Sequence, residues 1–217
     1  MIPEVIKKPA IMVLKRLDIY SSYLLRIGGA LHEDGWFRSF REESSIDAAG
    51  EPIPWLTYPA IAFLSSRTNS EMSVFEYGCG SSTLWWARRV NSVVSCEHDE
   101  TWYRQVSQRI PRNVDLKHIP LEYGGAYCHE VTKYSAEFDI IIIDGRDRVN
   151  CAQKALNALK PHGIIIWDNS DREEYRDGYQ FLFDNGFRKI EFIGMIPIVN
   201  CKSETGIFYR KENCLGI

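Results

Sequence analysis

From Ser73 onward, short apolar runs rich in β-branched and aromatic residues alternate with segments whose apolar residues recur at helical intervals. The runs are SVFEY, SVVSCEH, VDLKHI, FDIIIID, GIIIWD, FRKIEFIG and TGIFYR, and helices are predicted between the first six at 81–90, 99–110, near 127–135, 148–160 and 171–185. Runs that are apolar throughout, rather than at every second position, are buried on both faces, as in a parallel sheet covered by helices. No convincing helix separates the last two runs, so they close the sheet as an antiparallel pair. The pattern therefore predicts an α/β, Rossmann-like doubly wound sheet, mostly parallel, with a terminal antiparallel hairpin.

Upstream, residues 10–31 place Ile11, Leu14, Leu17, Tyr20, Leu24, Ile27 and Leu31 at helical spacing with charges between them. This predicts an amphipathic helix ending near Gly28 and Gly29 and packed on the main domain, with membrane association as the alternative. Arg38 to Pro54 is polar and then proline-punctuated, a loop composition that leads into the core and is placed to cover a site there. The segment TYPAIAFLSS starts a short helix, with Thr57 as its cap and Pro59 in its first turn.

Composition narrows this little. The chain has 217 residues, 45% of them hydrophobic and 25% charged, which suits one domain with a terminal extension. A net charge of -3 gives no broad attraction for nucleic acid or anionic membrane, although Lys7, Lys8, Lys15 and Arg16 make the N-terminal region locally basic. Six cysteines form no CxxC pair and no zinc spacing, as expected of reduced thiols in a cytoplasmic protein. Lys15 and Arg16 cut off the apolar IMVL before it makes a secretory signal, and no apolar run approaches the ~20 residues that span a bilayer. A soluble protein is expected.

The chemistry concentrates in VFEYGCGSST, Val74–Thr83. Gly78 and Gly80 follow a strand and precede a helix, so backbone can approach a ligand closely and free helix amides face it. The next strand ends in Glu97, seventeen positions beyond Gly80. In an open α/β sheet its carboxylate borders the same crevice, where two acceptor oxygens can hold both hydroxyls of a ribose. An adenosine-containing cofactor is indicated. A dinucleotide would set its pyrophosphate against a turn opened by Glu76, and the third glycine of GxGxxG is replaced by Thr83. S-adenosylmethionine has no phosphate and carries an ammonium and a sulfonium, so it fits the carboxylate better. An NAD-dependent oxidoreductase and a non-catalytic adenosyl-ligand-binding protein are the alternatives.

The motifs EYGCGSST, SCEHD, FDIIIIDG and LKPHGIIIWDNS resemble those of class I S-adenosylmethionine-dependent methyltransferases. The resemblance covers roughly residues 57–210 and implies that family's seven-stranded sheet. Residues 1–56 are then a helical extension with a loop covering the site, and residues 57–217 the methyltransferase domain. It further implies that Glu76, Gly78 and Gly80 shape the methionine end, that Glu97 binds the ribose, and that His98 lies near the adenine. Contacts from Ser81, Ser82 or Thr83 are expected, with Trp55 and Tyr58 as candidate aromatic neighbours of the sulfonium.

Two more strands end in acids, Asp144 in IIIIDGRDR and Asp168, followed by Asn169, in IIIWDNS. An Asp, Asp, Asn set suits a hard cation such as Mg²⁺ and resembles the metal site of catechol and caffeoyl-coenzyme A O-methyltransferases. Cofactor contact or helix capping is the alternative use of these acids. The lysine base expected after the first acid is missing, and Gly145, Arg146, Asp147 and Arg148 stand there instead. Asp147 is then the candidate proton acceptor, and Arg146 and Arg148 candidates for an anionic substrate group. The expected acceptor is a small molecule or glycan methylated on oxygen. No base-flipping motif or basic domain surface points to nucleic acid.

Overall fold

The computed structural model describes residues 11–217. Strands β1 (Ser73–Tyr77), β2 (Ser92–Glu97), β3 (Val114–His118), β4 (Phe138–Ile143), β5 (Leu159–Asp168), β6 (Arg188–Met195) and β7 (Lys202–Tyr209) form one sheet in the order β3-β2-β1-β4-β5-β7-β6. The first five are parallel, and β7 runs antiparallel between β5 and β6. Every expected strand is present, with β5 and β7 starting earlier than their apolar runs suggest.

The continuous apolar strands have a direct cause. Phe75, Tyr77, Ile141 and Ile143 point to one face, where Tyr127, Cys151, Ala155 and Leu182 cover them. Val74, Ile140, Ile142 and Ile166 point to the other face, against Leu64, Trp85 and Trp86. All six residues of β4 are buried.

The helices after a helical stretch at 11–16 are α1 (Ile19–Gly28), α2 (Ala30–Glu33), α3 (Trp36–Glu42), α4 (Tyr58–Ser65), α5 (Ser81–Ala87), α6 (Glu100–Ser107), α7 (Ala126–His129), α8 (Arg148–Ala155) and α9 (Arg176–Asp184). A 3₁₀ turn follows α7 at Glu130–Lys133 and another precedes α9 at Glu173–Tyr175, so the segments expected at 127–135 and 171–185 are each divided. Helix α8 ends well short of 160 because Leu159 already pairs with Phe138.

The N-terminal expectations need more correction. In place of one helix over 10–31, the described part breaks at Asp18, whose φ is 55°, and again at Gly29. Helix α1 buries none of its residues, so its apolar positions do not pack on the domain. Residue 10, Lys7 and Lys8 lie outside the described residues. The polar stretch from Arg38 starts in a helix, α3, which a charged Arg38–Glu42 pair at i,i+4 and contact of Trp36 with Phe40 support. Thr57 does occupy the N-cap of α4, but its hydroxyl donates to Phe192 O across the fold (3.0 Å) and not to its own helix.

Helix α3 and its flanks dock on the β6–β7 connection. Trp36 Nε1 donates to Val199 O (2.8 Å), and Ile198 N–H donates to Ser39 Oγ (3.0 Å). This fixes the Ile196–Val199 segment beside the C-terminal ends of the parallel strands.

Candidate functional site

Strand order reverses at β1, which lies between β2 and β4, so a crevice opens beyond the C-terminal ends of these strands. A cavity of about 580 Å³ occupies it, within the ~300–1,000 Å³ usual for small-molecule sites. Its floor and walls include Glu76, Gly78, Cys79, Ser82, Glu97, His98, Asp144, Arg146, Asp168 and Asn169. A side chamber of about 300 Å³ reaches Ser44, Ser45, Gly80, Ser81 and Ile198. Trp55, Trp102 and Asp144 border both spaces.

Glu97, at the end of β2, is only 4% exposed. Its carboxylate accepts from the backbone N–H of His98 (2.7 Å), Asp99 (2.8 Å) and Cys79 (3.1 Å). Three amides thus aim it at the crevice, and the one from Cys79 clamps the glycine turn to β2. His98 Nδ1 lies 2.8 Å from Glu97 Oε1.

Glu76 is held by hydroxyls. It accepts from Ser82, from Thr83 Oγ1 (2.5 Å) and from Ser95 Oγ (3.3 Å). Burial pushes its carboxyl up to about 7, with the charge of Asp144 adding to the rise and the hydroxyls opposing it. Thr83 is fully buried, also accepts from Gly80 N–H (3.0 Å), and lines neither space. Tyr58 is likewise buried away from both.

The two turn glycines differ. Gly78 has φ +95°, a left-handed conformation that favours glycine. Gly80 is extended at φ 161°, and a Cβ there would make ordinary 3.5 Å contact with the Trp102 ring. A tighter position is Gly145, where a Cβ would fall 2.0 Å from the Tyr127 hydroxyl and 3.1 Å from Gly78 N. Only glycine lets the loops after β1 and β4 pass so closely. The sequence carries its signal in the dipeptide after IIII, which attracts notice for its acid alone.

Arg148 organises the other half of the site. Although charged, it is 8% exposed. Its guanidinium donates to Gly145 O (3.0 Å), to Asp144 O and Oδ1 (3.1 Å each), and to the backbone carbonyl of Asp168. Every one of these partners belongs to the ends of β4 and β5, so four of its five N–H groups are committed to the protein, although it also borders the cavity. Arg146 is exposed, borders the cavity, and has no carboxylate partner among the described residues. Arg172 borders it too, with one long contact to Glu174 (3.8 Å).

Asp147 points elsewhere. Its carboxylate accepts from Gly124 N–H (2.8 Å) and Asn150 Nδ2 (2.7 Å), and it does not line the cavity. Asp168 does line it, is 5% exposed, and accepts from Thr205 Oγ1 (3.2 Å). Arg148 reaches its backbone carbonyl and not its carboxylate. Burial pushes Asp144 and Asp168 up, Asp168 further through the charge of Asp144, while Arg148 opposes both.

Asp144, Asp168 and Asn169, the trio expected to hold Mg²⁺, all line the cavity. Arg148 supplies a positive charge that would compete with a cation at Asp144, while Asn169, at φ 53°, donates its amide nitrogen to Ser203 Oγ (3.0 Å) and so keeps its oxygen, the atom a cation would take, unengaged by that bond. No group of three His, Cys, Asp or Glu side chains among the described residues is arranged to hold a metal ion.

Trp102 escapes sequence reasoning, its position in an amphipathic helix giving no hint of a cavity wall. Asp99 caps α6 by accepting from Trp102 N–H (2.8 Å), and the indole Nε1 donates to Cys79 O (2.7 Å), which seats the ring over the glycine turn. Trp55 and Trp102, each 46% exposed, form aromatic walls.

No helix among the described residues is long and apolar enough to cross a membrane. No family model matches the sequence, and no curated protein matches it. Solved structures do match. A precorrin 8W decarboxylase from Methanobacterium thermoautotrophicum aligns with a TM-score of 0.55 at 17% identity, over 78% of this chain and 97% of its own. Precorrin-6y C5,15-methyltransferase from Geobacter metallireducens aligns with a TM-score of 0.55 at 12% identity, over 70% and 87%. An rRNA methylase from Streptococcus thermophilus aligns with a TM-score of 0.53 at 16% identity, over 72% and 99%. At such identities the likeness concerns architecture, and the chain carries the seven-stranded Rossmann-like methyltransferase fold.

Proposed function

We propose that the chain is an S-adenosylmethionine-dependent methyltransferase acting on an oxygen of a small-molecule or glycan acceptor. The observation that carries this reading is Glu97, a buried carboxylate fixed by three backbone amides and facing the crevice beside the Gly78 turn. Its remaining acceptor capacity suits the two hydroxyls of a ribose. Glu76 and Asp144 flank the same turn, so a pyrophosphate would meet acceptor oxygens where an ammonium finds hydrogen-bond partners.

In this reading Gly78, Cys79 and Gly80 give the methionine portion a backbone wall, and His98 and Asp99 border the adenine. When bound, the cofactor supplies a methyl group already made electrophilic by its sulfonium. An acceptor oxygen that took this methyl group would have to give up its proton to a group in the site. Asp168 takes that proton: it borders the cavity, no cation pairs with its carboxylate among the described residues, and burial raises its affinity for a proton. Arg148 keeps the neighbouring Asp144 in place. Trp55 and Ile196 exclude water from the acceptor side, and Arg146 and Arg172 there suit an acceptor bearing an anionic group. The segment before Thr57 acts as the site's cover.

The test is methyl transfer from labelled S-adenosylmethionine to panels of hydroxylated small molecules, glycans and RNA. Transfer to a hydroxylated small molecule or glycan is expected. It should persist in a chelator and fall by about a hundredfold or more in Asp168→Asn, with cofactor affinity retained. Labelling of RNA alone would assign a different acceptor class. Failure to bind the cofactor would overturn the reading.

A further inference from the structure

Among the described residues, the large apolar side chains of the N-terminal helices stand largely exposed. Nine large hydrophobic residues between Met12 and Ile27 stand in water: Met12, Val13, Leu14 and Leu17 before the break at Asp18, and five within α1. Four of the latter share one face. Ile19, Tyr23, Leu24 and Ile27, at i, i+4, i+5 and i+8, are 52%, 57%, 44% and 53% exposed. Soluble monomers rarely leave so continuous an apolar strip uncovered.

Charge identifies what covers it. Between residues 11 and 29 the cations are Lys15, Arg16 and Arg26, against the single acid Asp18, in a chain whose net charge is -3. Lys15 and Arg16 sit at the junction of the two helical stretches, and Arg26 lies in the last turn of α1. A second copy of the segment would set these cations against one another with only Asp18 to compensate. An anionic lipid surface offers apolar depth for the strip and negative headgroups for the cations, and long basic side chains reach headgroups from a helix lying in the interface. We infer that the segment from Met12 to Ile27 is an interfacial anchor that lays the protein on an anionic membrane surface without crossing it, through Ile19, Tyr23, Leu24 and Ile27.

The full chain should co-sediment with phosphatidylcholine vesicles containing phosphatidylglycerol and much less with phosphatidylcholine alone, and added salt should weaken the binding. The double substitution Leu24→Ser/Ile27→Ser should lower partitioning by roughly tenfold or more, and Lys15→Glu/Arg16→Glu should remove the preference for anionic vesicles. Because these side chains are exposed, both variants should keep the wild-type melting temperature, which separates loss of binding from loss of folding. Absence of vesicle binding by the wild type would overturn the inference. So would a dimer detected by light scattering that disappears in Leu24→Ser/Ile27→Ser, since a second copy would then cover the strip.

Discussion

The two halves of the cavity neutralise buried acids in different ways. On the β1–β2 side, dipoles do it: Glu97 takes three backbone amides and Glu76 three hydroxyls, with no buried cation. On the β4–β5 side an ion does it, as one buried guanidinium ties Asp144 to three backbone carbonyls. Amides fixed by the fold hold a carboxylate rigidly while leaving part of its acceptor capacity free for a ligand. A single arginine leaves the carboxylate of the second acid, Asp168, without a cation partner among the described residues. The first arrangement suits binding, and the second suits chemistry.

Breaking the ionic half should have the largest effect. Arg148→Met keeps much of the side-chain volume but removes every hydrogen bond to the strand ends. It should lower stability by about 2–4 kcal/mol in denaturant titration, because the carbonyls are left unpaired and Asp144, only 28% exposed, loses its ion partner. A loss below about 1 kcal/mol would mean that water replaces the guanidinium easily.

Substitution on the dipolar side should separate binding from folding less cleanly than a bare ribose contact would. Glu97→Gln removes the charge that three amides face, so calorimetry should show cofactor affinity falling about tenfold to a hundredfold and the melting temperature falling as well. Lost affinity at constant melting temperature would assign the carboxylate to the ligand alone.

The smallest effect is a pH dependence. The folded-state pKa of Glu76, about 7, lies above its ordinary 4.5, so between these values the native chain holds a proton that the unfolded chain has released. Stability should therefore fall as pH rises from about 4.5 to about 7, and Glu76→Gln should flatten that slope. Equal slopes in both proteins would place the titration elsewhere.

The same contrast explains what the sequence made legible. The succession of strands, the Gly78 turn and Glu97 follow from local patterns, since a buried strand needs a continuous apolar run and the next strand's terminal acid must border the same crevice. The β4–β5 side depends on a conformation no pattern announces. Asp147 is a non-glycine residue at φ 53°, and beyond this turn Arg148 is buried under the strand ends while Asp147 faces Gly124. Read as a linear string, GRDR suggests a free base and two free cations. Of the three, only Arg146 has no charged or hydrogen-bonded side-chain partner among the described residues. The N-terminal helices mislead for a related reason: apolar periodicity predicts a face seeking cover, but whether this domain supplies the cover is a long-range matter, and here it does not.

The central claim is that the crevice beside Glu97 receives an adenosyl sulfonium cofactor and not a dinucleotide. Calorimetric titration of the full chain with S-adenosylmethionine and, separately, with NAD tests it most directly. The account predicts saturable, one-to-one binding of S-adenosylmethionine and no heat of binding with NAD. Saturable binding of NAD, with S-adenosylmethionine silent, would contradict it.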